Sequence, residues 1–96
     1  MERVVAKTKA EIETGVTDGL WEFAKALKAD VSRPAPGTTL ALLGMDDDYL
    51  NNPVRRWLQY NFFREFDKRL RRGKLTGPMS VNDVVKLCQK AAGFDV

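Results

Sequence analysis

Histidine is missing from this 96-residue chain. With it goes the usual general acid or base near neutral pH, and with that both Ser-His-Asp and Cys-His nucleophilic chemistry. The single cysteine, Cys88, permits no internal disulfide, and one Cys without His cannot build the common structural zinc sites. No apolar run approaches the roughly 18 residues of a membrane span, and the opening MERVVAKTKAEIE scatters charges where a secretory signal has a greasy stretch. The segments TGPM and PAPG are glycine-proline turns that lack the GxxxxGK spacing of a triphosphate cradle. These absences point to a cytoplasmic, non-enzymatic protein with no metal, no cofactor and no membrane segment.

What is present describes a folded chain. Apolar residues make up 44% and charged residues 30%, the balance of a globular protein rather than a disordered one. The length suits a single helical domain over residues 1–96, burying roughly 60–65% of its unfolded surface. The net charge of +3 is unevenly placed. Residues 54–74 hold eight basic and two acidic side chains, so a local +6 sits in a chain whose remainder sums to −3. That asymmetry is the main compositional clue to a partner.

Periodicity predicts an all-α fold, a small bundle of three to four helices. A first helix is expected over residues 2–13, with Val4, Thr8 and Ile12 four apart and Gly15 as its stop. A second is expected after Thr17 as cap, with Leu20, Phe23, Ala24, Leu27 and Val31 as its apolar stripe and Trp21 at the margin as a partly buried core residue. Prolines and a glycine then break the chain, and Leu40 to Leu43 read as a connection whose leucines plug the core. Pairing of that run with the N-terminal valines is the alternative, a minor two-stranded β element. The last helix carries a capping box in Ser80 and Asp83, a staple from Met79 to Val84, and a Schellman ending at Gly93 and Phe94. Its pattern also has the form of the first helix and turn of a helix-turn-helix unit, half a motif that identifies no family.

The third helix carries the functional reading. Asn52 as cap and Pro53 in the first turn predict one long helix to Arg72, stopped by Gly73. Val54, Leu58, Phe62, Phe66 and Leu70 form an i, i+4 row toward the core. The opposite side interleaves cations and rings: Arg56, Trp57, Tyr60, Arg64, Lys68, Arg71 and Arg72. Cations neutralise phosphates with release of counterions, and aromatic rings stack on bases or hold an arginine. The expected function is therefore nucleic-acid binding through this face. The rival is a protein-binding adaptor, assembly subunit or inhibitor that docks the same residues on an acidic protein surface, or a homodimer.

A plainer reading uses the same charges. Arg69, Arg71 and Arg72 offset a helix dipole, Glu65 pairs with Arg69, and Asp67 pairs with Arg64 or Arg71, which leaves a solvated face. Asp46, Asp47 and Asp48 do not make an EF-hand, because Asn51 and Trp57 stand where glycine and glutamate are required. They are expected just before the third helix, at its positive dipole end. Cys88 lies on the apolar side of its helix and reads as a buried, inert thiol.

Overall fold

Thr8 opens the first helix. Its hydroxyl accepts from the Glu11 amide at 3.1 Å while the Glu11 carboxylate accepts from the Thr8 amide at 2.9 Å, so two orphan donors of the first turn are satisfied reciprocally. In the computed structural model, which describes residues 8–28, 30–63 and 68–96, this helix, α1, spans Lys9–Leu27. The two helices expected before residue 32 are therefore one. Thr17 is buried in mid-helix rather than capping, and Gly15 does not stop the chain. Residues 2–7 of the expected first helix lie outside the described residues.

The merger follows from packing. Ile12, Val16, Leu20 and Ala24 form an unbroken i, i+4 row with no solvent exposure, and burying each of the three larger ones is worth about 1.5–3 kcal/mol. That outweighs roughly 1 kcal/mol lost at each mid-helix glycine. Extended backbone at Lys28 ends the helix. Val31, expected on the stripe, lies beyond that end and accepts a hydrogen bond from Trp21 Nε1 at 2.8 Å, while Lys25 Nζ sits 4.3 Å from the Trp21 ring centroid.

The connection to the next helix runs antiparallel to residues 77–82. Leu40 N donates to Met79 O at 2.8 Å, and Val81 N to Thr38 O at 2.9 Å. Thr39 and Ser80 form an isolated bridge, but no strand forms among the described residues, which corrects the β alternative. Leu40 and Leu43 are buried in the core, whereas Leu42 is 70% exposed. The plug is thus two leucines, and the carbonyl that Leu40 reaches is that of Met79; the N-terminal valines of the β alternative lie outside the described residues.

The second helix starts earlier than Asn52. Asp46 Oδ1 accepts from the Tyr49 amide at 2.8 Å, making Asp46 the cap and placing Asp47 and Asp48 in the first turn, where negative charge meets the helix dipole. We call α2 the continuous helical run composed of Asp47–Tyr49, a wide π-turn Leu50–Val54, Arg55–Leu58 and a second π-turn Gln59–Phe63. Pro53 lies inside the first π-turn. It has no N–H to give and its ring crowds the preceding turn, so the helix widens instead of beginning there. Asparagine side chains serve the carbonyls of the widened turns: Asn51 Nδ2 donates to Asp47 O, Asn52 Nδ2 to Asp48 O and Asn61 Nδ2 to Trp57 O, at 2.8, 3.0 and 2.8 Å.

The third helix, α3, spans Val81–Ala91. Its Ser80/Asp83 capping box is formed, and Phe94 N donates to Gln89 O while Gly93 N donates to Lys90 O, with Gly93 at φ +94°. This is the Schellman ending that the sequence predicts. Gln89, buried in the contact with α1, donates to Lys9 O at 3.1 Å, so the N-terminus of α1 meets the C-terminal end of α3. The result is an all-α globule of three helices around one core, with a radius of gyration of 12.8 Å. No helix among the described residues is long and apolar enough to cross a membrane.

The two glycines of α1 give opposite predictions. A Cβ on Gly19 falls 2.0 Å from Trp57 Cη2, whereas one on Gly15 falls 3.5 Å from Phe62 Cζ, an ordinary contact. Gly15→Ala should raise stability by about 0.5–1 kcal/mol, and Gly19→Ala should lower it by about 1–3 kcal/mol. Urea midpoints at unchanged slope measure both; a stabilising Gly19→Ala would contradict the packing of Trp57 on Gly19, and a destabilising Gly15→Ala would contradict the room beside Phe62.

Candidate anion-binding cleft

Three side chains of α2, at positions 51, 55 and 59, share one face because they are four residues apart. All three reach the same stretch of backbone. Gln59 Nε2 donates to Lys68 O at 2.8 Å, and Gln59 Oε1 accepts from the Leu70 amide. Arg55 Nη1 donates to Leu70 O at 3.4 Å, and Asn51 Oδ1 accepts from the Gly73 amide at 2.6 Å. Residues 68–73 therefore run back along α2 in the antiparallel sense.

This overturns the expectation of one rod from Pro53 to Arg72. The segment from Lys68 to Arg71 is not helical, and residues 64–67 lie outside the described residues. Leu70 is buried, as its place in the predicted row required, but it reaches the core from the returning segment. Gly73, with φ +87°, sits in the turn that follows. The geometry needs glycine there, since such φ values are rare for residues with a Cβ.

Of the expected site residues, Arg56, Lys68, Arg71 and Arg72 are exposed, and Tyr60 is 68% exposed. Arg56 and Tyr60 share a row on α2. Arg71 and Arg72 reach the neighbourhood of α2 only through the fold-back. Arg64 lies outside the described residues. Trp57 is not on the solvent face. Its half-buried ring packs edge-on to Phe23 and Phe62, with centroids 5.8 and 5.6 Å away, and covers Gly19. Trp57 was expected among the basic residues because an ideal helical wheel ignores both the widened turns and the gap that Gly19 leaves on α1.

The fold-back creates a cleft of about 580 Å³ lined by Arg55, Gln59, Arg69, Leu70, Arg71 and Arg72. Arg55 and Arg69 were not among the expected site residues. The signal for Arg55 was the Asn51, Arg55, Gln59 spacing, three hydrogen-bonding side chains at helical repeat. Arg55 is the ordered member: Nε donates to Asn51 O at 2.9 Å while Nη1 donates to Leu70 O. Two carbonyls thus fix the guanidinium plane and leave part of its donor fork for a ligand. Among the described residues lining the cleft there is no carboxylate.

The ion pairs among the described residues lie elsewhere, Lys25 with Glu22 at 3.1 Å and Arg33 with Asp18 at 3.0 Å. The carboxylates expected to neutralise these arginines, Glu65 and Asp67, lie outside the described residues. No group of three or more His, Cys, Asp or Glu side chains suited to a metal assembles among the described residues. Asp46 is engaged as a helix cap. Cys88 is fully buried, as expected. Comparison with protein-family models, with curated proteins and with solved structures gives no significant match.

Gln59 is the central clamp. Gln59→Ala removes a donor and an acceptor and strands the Leu70 amide, at a cost of about 1–3 kcal/mol. Amide exchange at Leu70 and Gly73 should accelerate more than exchange in α3. Unchanged protection at Leu70 would show that the returning segment is held by something else.

Proposed function

We propose that this protein is a non-enzymatic nucleic-acid-binding protein that contacts phosphates with the arginines around the cleft. The observation that carries the reading is the convergence of Arg55, Arg69, Arg71 and Arg72 on one concavity without a carboxylate among its described lining. Guanidinium groups match phosphate oxygens in geometry and stay charged at all physiological pH values. Exposed Arg56 and Lys68 extend the positive surface beyond the cleft. Tyr60, exposed on the same helix, offers a ring to a base in such a complex.

The reading has a quantitative test. Binding that engages five of these cations should weaken with salt at a log-log slope of about −4 to −5 on duplex and about −3 to −4 on single strands. Fluorescence anisotropy with labelled DNA and RNA at about 50 and 200 mM salt measures it. Arg71→Gln with Arg72→Gln should reduce the slope by about 1.5–2 while changing stability by under about 1 kcal/mol, since both side chains are exposed. Flat, weak binding at both salt concentrations would remove the nucleic-acid reading and turn attention to an acidic protein partner.

A further inference from the structure

The cleft gathers more charge than any single phosphodiester group can match. A phosphodiester brings one negative charge per nucleotide, whereas a phosphomonoester brings about −1.5 to −2 near neutral pH, and a polyphosphate brings more. Four guanidinium groups border a space of about 580 Å³. Such a grouping is self-repulsive and is best relieved by a compact, multiply charged anion.

The second observation is the immobilisation of Arg55, whose Nε and Nη1 are committed to the carbonyls of Asn51 and Leu70 at 2.9 and 3.4 Å. A cation meant only for long-range attraction needs no such anchoring. A donor fork fixed before the ligand arrives lowers the entropic cost of gripping one group at one place.

We infer that the cleft is a receptor for a multiply charged phosphate group, a phosphomonoester or a polyphosphate, in which Arg55 is the fixed donor and Arg69, Arg71 and Arg72 close on the remaining oxygens. The inference deepens the nucleic-acid reading and rests on it for one of its two ligand sources. Those sources are the phosphorylated end of a strand and a free polyphosphate.

The test separates the pocket from the source. Inorganic tripolyphosphate, titrated into the full chain, should shift the Arg55 Nε–Hε resonance, and dimethyl phosphate at the same concentration should not. Arg69→Gln with Arg72→Gln should weaken tripolyphosphate binding by about ten-fold or more; both side chains are exposed, so the fold survives. Arg55→Lys keeps the charge but removes the fork, and should cost a similar factor. Because Arg55 also holds Leu70, the double variant carries the test if Arg55→Lys unfolds.

A single-stranded oligonucleotide with a 5′-phosphate should bind about ten-fold tighter than the same strand with a 5′-hydroxyl if strand ends are the source. That preference should shrink as pH falls through about 6, where the phosphomonoester gains a proton. Among the described residues, Arg55, Arg69, Arg71 and Arg72 are the charged groups that line the cleft. Equal binding of the two ends with a tripolyphosphate shift at Arg55 assigns the pocket to free polyphosphate. No binding of either strand, with that shift retained, ends the nucleic-acid reading and keeps the pocket. Absence of the shift, or an equal shift with dimethyl phosphate, overturns the inference whatever the strands do.

Discussion

The backbone of residues 68–73 is held to the middle helix by side chains, and the chemistry of the basic half of the molecule depends on that attachment. A chain leaving a helix and running back along it has amides and carbonyls that the helix, already internally bonded, cannot satisfy. At buried Leu70 an unpartnered amide or carbonyl would be costly, whereas Lys68 and Gly73 are exposed. Asn51, Arg55 and Gln59 resolve this by presenting amide and guanidinium groups at one helical repeat, and the returning segment is pinned at Lys68, Leu70 and Gly73. With Leu70 drawn into the core, the arginines on either side of it are left at the rim of the cleft. An ordinary folding requirement and a positively charged concavity are thus products of the same three side chains.

A second constraint sets which aromatic residues are available. Trp57 packs into the gap above Gly19, and Tyr49, Phe23, Trp57 and Phe62 continue as edge-on rings with centroid separations of 5.6 to 5.9 Å. Edge-on aromatic pairs contribute beyond their buried area, and the mid-helix glycine is the cost of admitting the largest side chain. Tyr60 remains outside this cluster.

The local signals were legible. The Ser80/Asp83 box and the Gly93 ending are short-range patterns whose partners lie within six residues, and both are realised, whereas Gln89, which periodicity places on the polar side of the last helix, is buried against α1. The apolar row through Val54, Leu58 and Phe62 is buried as its spacing requires. The failures share a cause. Gly15 has the look of a helix stop when read alone, but the buried row Ile12, Val16, Leu20 and Ala24 carries the helix through it. Pro53 reads as a first-turn residue, but Asp46 supplies a better cap upstream and the helix widens around the proline. Leu70 falls on the repeat that predicts helix, but at Leu70 burial without helix satisfies the same pattern.

Composition and spacing by themselves determined that this chain folds as helices around one core, without histidine-based catalysis, and that its positive charge gathers between residues 54 and 74. Those properties follow from residue chemistry and from contacts a few positions apart, which every conformer of the chain shares. Only the tertiary structure decided which cations meet. Arg55 and Arg69 come together through hydrogen bonds between a helix face and a backbone segment 11 to 22 residues later, and such long-range pairing depends on where the chain turns. Which backbone groups of residues 68–73 meet Asn51, Arg55 and Gln59 is a long-range outcome that no local pattern encodes.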